Sequence, residues 1–564
     1  MQPWYKWWQE SIRCAEQNVD DTRSALFLII PKRSGFLSRY DILQMRMAGW
    51  NRVISTFSRE KPDAPVSGIS TTDSPVWLKE SFATAVGAIH LKVEEDGLGK
   101  YDILDQLWHR LALPLVIDCQ IARMRVALVS GGYNLAFRKQ LFSAAAGLGM
   151  TLVIIDETDH WLHSFSEVLG VPIEFLPVSM NTDNGLPGRI VDVIKSHTSP
   201  INGITTFTDR YIYATAEAAK TLSLPTQSAE SFKATINKEL MRELLPLPKR
   251  VNACHDPTLN GSRVIVKPAE GSGSFGIFLV NNDEDKAIAK QSLRALGKKP
   301  LIETYSDGPE VDVNIVLHDG RVLLTEISDN FPTTAEGFPS KYDLPSWVET
   351  GSVFPSGLSR GELKLLGDNV ASHLLKFGFQ TGVFHCEARV IDGTSVYTTT
   401  KSIFPRLAAV NDIRLAYSPL VAIIEINARS PGAKACEESL YSSGVDYYAL
   451  QLLAACKDDE RFCALAIPFS AQLGWWGSGY IPAERGGTFT TQAMFEDLAA
   501  SSRELMDGVV QWTVFYKDGD YIKDPRLTGR TQWIAWFLAH SSVSRHHLEN
   551  ILEQVRKALR FAIV

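Results

Sequence analysis

The stretch Ile423-Ile-Glu-Ile-Asn-Ala-Arg429 sets three polar residues, Glu425, Asn427 and Arg429, at every second position of an apolar run. An extended chain turns alternate side chains to opposite faces, so a strand here presents all three on one face. A solvated edge strand would tolerate them, but the flanking Ile423, Ile424 and Ile426 argue for a buried one. A buried polar trio needs a partner. Glu387, in the strand Phe384-His-Cys-Glu-Ala-Arg389, supplies a second carboxylate. Two carboxylates and a carboxamide form a hard, all-oxygen ligand set suited to Mg²⁺. Asn427 in place of a third acid limits the negative charge beside a phosphate. Arg429 can neutralise a transferred phosphoryl group or grip a carboxylate in bidentate fashion. Cys386 points to the other face of its strand, as a packed thiol rather than a nucleophile.

Upstream, Lys267-Pro-Ala-Glu-Gly-Ser-Gly-Ser-Phe-Gly276 joins the strands Arg263–Lys267 and Ile277–Val280. A loop between two strands that lacks Gly-Lys-Ser/Thr is not a P-loop. Its bare backbone N–H groups can still approach phosphates, and Lys267 adds a point charge. An ordinary flexible hairpin fits the same residues, and Glu270 counts against phosphate. Glu303-Thr-Tyr-Ser-Asp-Gly-Pro-Glu310 follows Pro300-Leu-Ile302. As a hinge it offers backbone groups to an adenine edge and Glu310 to both ribose hydroxyls; a surface turn with two acids is the plain alternative. His318-Asp-Gly320 turns a hairpin between the strands Val311–Leu317 and Arg321–Glu326.

Towards the N-terminus, Val126–Ser130, a helix over about 134–148 and Thr151–Ile155 read as a β-α-β unit, with Ile201–Phe207 a later strand of the same sheet. Gly131-Gly132-Tyr-Asn134 lacks the Gly-x-Gly-x-x-Gly spacing of a dinucleotide site. The first 120 residues hold the apolar run Ala25–Ile30 and a Pro/Ser/Thr-rich stretch over 61–75 but no chemistry, and are read as an accessory or homodimer-forming piece. The C-terminal part carries strands over 474–487, a hairpin at Asp518-Gly519 and an amphipathic helix over 544–560.

Composition sets the outer limits. The 564 residues are 45% hydrophobic and 21% charged, which excludes a disordered or coiled-coil chain. The net charge of 57 − 64 = −7 gives no support to a nucleic-acid partner. No apolar run is long enough to span a bilayer, and the opening residues lack the apolar core of a signal peptide, so none is expected. The seven cysteines are scattered without a Cys-x-x-Cys, so a soluble, cytoplasmic protein without disulfides is expected.

Taken in order, these pieces resemble the ATP-grasp superfamily of ATP-dependent ligases, in particular its carnosine-synthase-like and L-amino-acid-ligase branch. The resemblance rests on Asn237-Lys238 with Met241-Arg242, Lys267 with the loop over 271–276, Glu303 to Glu310, Ser328-Asp-Asn-Phe-Pro-Thr333, Gly382 to Glu387, Glu425-Ile-Asn-Ala-Arg-Ser-Pro-Gly432 and Gly444-Val-Asp446. It implies an α/β ATP-grasp fold. The expected parts are an N-terminal accessory domain (1–120), a pre-ATP-grasp β-α-β domain (121–225), the central and catalytic lobes (226–460) and a C-terminal subdomain (461–564). It implies ATP phosphates on Lys238 and Lys267, with Gly271, Ser272, Gly273, Ser274 and Gly276 closing over them. Glu303, Tyr305 and the adjoining backbone would read adenine, and Glu310 the ribose. Glu387, Glu425 and Asn427 would hold Mg²⁺, or Mn²⁺ in its place. Arg429 would bind the reacting carboxylate or the acyl phosphate, with Lys267 as its catalytic partner. Ser328, Asp329 and Asn330 would face the substrate. Two departures stand out. Asn237 occupies a position that is Asp in many relatives, and roughly 30 residues, Val390 to Val421, separate the two metal-binding strands.

The expected activity is ligation of a small-molecule carboxylate to an amine, both amino acids or related compounds, through an acyl phosphate with release of ADP and phosphate. A carboxylase or kinase on the same fold, and a nucleotide-binding protein without catalysis, are the alternatives.

Overall fold

The computed structural model describes residues 23–58, 65–67, 84–93, 99–248, 263–271, 274, 276–336, 347–398, 404–409, 418–483, 485–525 and 532–564. They fall into two compact units. One combines the chain up to Thr226 with Ser430–Leu473; the other combines Gln227–Arg429 with Gly474–Val564. This division differs from the four expected stretches. Residues of the first 120 belong to the same body as the β-α-β region, and 430–473 leave the catalytic stretch to join them.

In the first unit, β1 (Arg23–Ile29), β2 (Val53–Ser58) and β3 (Gly87–Val93) form an antiparallel sheet in the order β1-β3-β2. The strands β4 (Arg125–Val129), β5 (Thr151–Asp156), β6 (Val171–Pro177) and β7 (Gly203–Thr205) run parallel in the order β7-β4-β5-β6. Between β4 and β5 lies α1 (Leu135–Leu148), whose N-cap Asn134 accepts from Phe137 N and whose left-handed C-cap is Gly149. The expected β-α-β unit is therefore present. Its glycine turn is packed against its own neighbours. His160 Nε2 and Trp161 Nε1 lie 2.7 and 2.8 Å from the Gly132 carbonyl, and a Cβ on Gly131 would meet Leu162 at 2.6 Å. Apolar and polar contacts both tie residues 430–473 to this unit: Ala464 packs with Ile117 and Ile121, and Tyr448 lies edge-on to Phe207. Asp446 caps the helix Tyr447–Cys456, and its carboxylate pairs with the buried Arg39 at 2.6 Å.

The second unit begins with the helix Ala229–Ile236 and then α2 (Lys238–Leu244), followed by an antiparallel three-stranded sheet. This sheet comprises β8 (Val264–Pro268), β9 (Phe278–Val280) and β10 (Pro300–Thr304) in the order β9-β8-β10. The helix α3 (Asp283–Ala295) packs Ala289 and Leu293 on Val266 and Val280. Then come β11 (Glu310–His318), β12 (Arg321–Asn330), β13 (Gly351–Phe354), α4 (Arg360–Lys376), β14 (Gly382–Ile391), β15 (Leu420–Asn427), β16 (Trp475–Pro482), β17 (Val509–Val514), β18 (Trp533–Ser541) and α5 (Arg545–Ala558). Eight of these strands make one antiparallel sheet, β15-β14-β11-β12-β13-β16-β18-β17. The last hundred residues thus supply three strands to the sheet of the catalytic stretch.

Strand alternation sorts the two faces of this sheet. Val311, Val313, Ile315, Cys386, Ala388 and Ile426 point to a core closed by Leu366, Val370 and Leu374 of α4. Each such side chain contributes about 1.5–3 kcal/mol by leaving water. The helix is placed by a capping box in which Ser359 and Glu362 exchange hydrogen bonds. The opposite positions, Glu310, Asp312 and Asn314 on β11 and His385, Glu387 and Arg389 on β14, are polar and paired across the strands. The expected hairpin at Asp518-Gly519 is corrected. The chain turns there, but β17 pairs with β18 and the following Tyr521–Ile522 pairs with Gly487–Thr488. No helix among the described residues is long and apolar enough to cross a membrane.

Candidate active site

The polar face of the sheet and the β8–β10 lobe enclose a cavity of about 310 Å³ within the second unit. Lys238, Lys267, Gly271, Ser274 and Glu303 line it. Tyr305, Glu310, Asn330, Glu387 and Glu425 line it too. Ten of the seventeen expected site residues therefore meet at one place, although they lie far apart in sequence.

Register explains the acidic wall. Glu387 is the cross-strand partner of Glu425 and also of Asp312. A bulge shifts the pairing between Glu387 and Ala388, so that Ile424 has no partner of its own and lines the cavity beside Glu425. Burial pushes the Glu387 carboxyl well above the usual range, and the neighbouring Glu425, Glu310 and Asp312 push it further. Asp312 is pushed up to about 6 by burial, less the effect of Asn330, whose amide donates to it at 2.8 Å. Among the described residues no group of three or more His, Cys, Asp and Glu gathers to hold a metal unaided. The donor set nevertheless fits Mg²⁺. Glu387 and Glu425 face one cavity, their mutual repulsion calls for a cation, and Mg²⁺ is usually held by one or two carboxylates plus substrate phosphates.

The basic wall is held by ion pairs. Asn237 caps α2 by accepting from Glu239 N and Leu240 N at 3.0 and 3.1 Å. An Asp would do the same, which accounts for Asn at this position. The cap aims Lys238, whose Nζ lies 3.0 Å from the Gly271 carbonyl and 3.2 Å from Glu425 Oε1. Lys267 Nζ is 2.5 Å from Glu303 Oε2, and Arg242 Nε is 2.6 Å from Glu303 Oε1. Burial would raise the Glu303 carboxyl, but the Lys267 and Arg242 charges outweigh it and hold the group below its usual range. Burial lowers Lys267, partly offset by Glu303. The Glu303 side chain is thus engaged in binding two cations.

A third cluster surrounds Arg389, which is 3% exposed on its side chain. Its Nε and Nη2 donate to Glu310 Oε2 at 2.9 and 2.6 Å. Its Nη2 also lies 2.7 Å from Glu336 Oε1, and its Nη1 donates to the Tyr305 hydroxyl at 2.8 Å. Tyr305 in turn donates to Glu336 at 3.0 Å.

Other expected residues lie elsewhere. Asp329 points to the opposite face of β12. It is buried, accepts from Ser356 at 2.5 Å and from Gly357 N at 2.7 Å, and pairs with Arg545 at 2.7 Å. A substrate-facing Asp329 is corrected to a structural one. Ser328 shares the face of Asp312 but is not at the cavity wall. Asn427 and Arg429 are also outside the wall. β15 ends at Asn427, and Arg429 donates back to the Asn427 side chain at 3.3 Å. Gly276 (φ +74°) turns the chain beside Leu293. Ser272 and Gly273 lie outside the described residues, as do parts of the long insertion; its described part is a short hairpin, Ser395–Tyr397 with Leu407–Ala409. The Cys386 thiol is buried and pushed far up by burial, as expected of a packed thiol. Asp312, Arg389, Arg242 and Glu336 received no role from the sequence. The first two carried a signal, since 310/312/314 and 385/387/389 alternate polar and apolar as plainly as 425/427.

A three-stranded lobe over a polar sheet face, with two facing carboxylates and two lysines between, defines an ATP-grasp protein. Residues 142–226 match the ATP-grasp N-terminal domain family and residues 231–356 the ATP-grasp domain family. The chain thus carries both ATP-grasp domains, and the relatives that follow support an enzyme that forms C–N bonds. It is 27% identical to the ATP-grasp enzyme fsqD of Aspergillus fumigatus, over 97% of this chain and 99% of that one. It is 22% identical to human carnosine synthase 1, over 61% of this chain and 42% of the relative. The crystal structure of L-amino acid ligase from Bacillus licheniformis covers 78% of this chain and 99% of its own with a TM-score of 0.59 at 18% identity.

Proposed function

We propose that the cavity binds ATP with Mg²⁺ and that the enzyme joins a carboxylic acid to an amine, both amino acids or close relatives. The observation that carries this reading is the facing pair Glu387–Glu425 beside Lys238 and Lys267 in one cavity. Lys238 and Lys267 would bind the phosphates. The Tyr305 hinge would take adenine and Glu310 the ribose. Glu387 and Glu425, with Asn427 behind them, would hold Mg²⁺, which when bound supplies charge neutralisation to the phosphates. Glu303 keeps Lys267 and Arg242 in place.

In the first step an oxygen of the substrate carboxylate attacks the γ-phosphorus and the bond to the β-phosphate oxygen breaks, giving an acyl phosphate and ADP. In the second step the amine nitrogen attacks the acyl carbon, phosphate leaves and the nitrogen gives up a proton. The residues' work is to position reactants, neutralise charge and exclude water from the acyl phosphate. The names carnosine synthase and L-amino acid ligase support this class, and fsqD is named as an ATP-grasp enzyme.

The test is to incubate the protein with ATP, Mg²⁺ and pooled amino acids and to measure ADP, AMP and phosphate. Amino-acid-dependent ADP with a condensed product by mass spectrometry is expected. AMP and pyrophosphate would overturn the acyl-phosphate route, and the absence of turnover with any acid and amine pool would overturn the ligase.

A further inference from the structure

Glu310 accepts both short hydrogen bonds from Arg389 on a single oxygen, Oε2. Oε1 of the same carboxylate, on a residue that lines the cavity, accepts no hydrogen bond among the described residues and is placed to accept from a ligand. A carboxylate held by one oxygen through a bidentate fork cannot rotate without breaking two charge-assisted bonds. The fork is itself held from two further sides. Glu336 Oε1 takes Nη2 at 2.7 Å, and the Tyr305 hydroxyl takes Nη1 at 2.8 Å while donating to Glu336 at 3.0 Å. The Ser306 carbonyl accepts from Nη1 at 3.1 Å. Glu336 is fixed in turn, since its Oε2 accepts from the backbone N–H of Thr333 at 2.8 Å. Four separate pieces of chain, around 305, 310, 336 and 389, thus converge on one guanidinium and orient one carboxylate.

Such an arrangement suits recognition of a vicinal diol. One carboxylate oxygen has two lone-pair directions, and two adjacent hydroxyls can donate to them together. If Glu310 were free to turn, it would lose side-chain entropy on each binding event; held by Arg389, it has already done so.

We infer that Arg389, braced by Tyr305 and Glu336, is a positioning residue that fixes Glu310 with one oxygen free, so that the nucleotide site selects ribose over deoxyribose. This rests on the proposed nucleotide site but not on the ligation chemistry, and it assigns roles to Arg389 and Glu336 that the proposed mechanism does not use. A lysine would keep the charge but not the fork.

The experiment compares equilibrium binding of ATP and 2′-deoxy-ATP, both with Mg²⁺, to the full-length protein and its Arg389→Lys and Tyr305→Phe variants. The unaltered protein is expected to bind ATP about tenfold tighter than 2′-deoxy-ATP, the value of roughly one charge-assisted hydrogen bond. In Arg389→Lys the preference should fall to about twofold or less, by weakening of ATP alone. Tyr305→Phe, which removes one hydroxyl and covers the case in which the lysine variant does not fold, should lower it part of the way. A variant that weakens both nucleotides equally, or that keeps the full preference, overturns the inference. So does equal binding of the two nucleotides by the unaltered protein. Failure of the protein to bind ATP at all overturns the nucleotide site itself, whereas ribose selectivity without ligation leaves the inference standing and removes only the ligase.

Discussion

Glu387 and Glu425 are direct cross-strand partners on adjacent strands of the central sheet, and Lys238 Nζ lies 3.2 Å from the second of them. Two carboxyls set side by side in a buried wall cannot both ionise cheaply without a cation. The pair is therefore a conflict in the empty protein and an asset once a cation arrives.

The Glu387→Gln variant tests this conflict. The Glu387 carboxyl is raised by burial first and by Glu425 next. A raised acid holds its proton in the native state where the unfolded chain has released it, so it withdraws stability as pH rises above the ordinary carboxylate range. Without Mg²⁺, the variant should melt higher than the unaltered protein at pH 8 and no higher at pH 4. Its turnover should fall at least about 100-fold. Thermal melts across pH and an ADP assay decide it; a variant that turns over normally removes Glu387 from the site.

Asp312 makes a similar case with a defined window. Burial lifts it from 3.8 to about 6, with Asn330 opposing. Native stability should therefore fall between about pH 4 and pH 6 on account of this group and stay flat above. Asp312→Asn should remove that limb, raising Tm by about 2–4 °C at pH 7.5 and leaving it unchanged at pH 3.5. Equal melting curves at both pH values would mean that the group is not desolvated as its position implies.

These two acids also mark how far the sequence could be read. Glu425 and Asn427 were legible because period-2 alternation sorts the faces of a regular strand, although the bulge opposite brings Ile424 to the cavity beside Glu425. Arg429 was misplaced because nothing in the letters says that the strand stops at Asn427. Asp312 obeyed the same alternation and could have been found. Its neighbour Asp329 could not have been placed, since the Arg545 that holds it lies far along the chain. The β-α-β region was readable from its apolar runs, whereas the attachment of residues 430–473 to it runs through long-range contacts such as Gln451 to Thr205 and Arg461 to the Leu148 carbonyl. Local pattern carries strand faces and caps; it does not carry which distant segments share a body.

Asp329 offers a test of structure against substrate contact. Its carboxylate meets Ser356, Gly357 N and Arg545 on the side away from the cavity. Asp329→Ala removes one of the two carboxylates that hold Arg545, Glu549 being the other at 2.9 Å, and leaves the Gly357 N–H and Ser356 hydroxyl without their acceptor, a loss of about 1–3 kcal/mol. The expected result is a lower urea midpoint with unchanged KM for both substrates in the fraction that remains folded. A raised KM at unchanged stability would return Asp329 to the substrate site.

Loading of the site should release protons. Burial and the neighbouring Glu425 hold the Glu387 carboxyl well above its usual range, so it favours its proton, yet a carboxylate must be ionised to hold a metal. Binding of ATP with Mg²⁺ should therefore expel a proton that the same nucleotide in solution does not lose. Titration calorimetry in two buffers of different ionisation enthalpy measures this directly, because the heat then differs by the number of protons handed to the buffer. Glu387→Gln has no such proton to give and should release about one fewer at most. Glu425→Gln removes the repulsion that raises Glu387, so it should also release less, and it should require more Mg²⁺ for the same ATP affinity. Equal proton release by all three proteins would show that Glu387 is already ionised in the empty site, and wild-type Mg²⁺ dependence in Glu425→Gln would remove that residue from the metal.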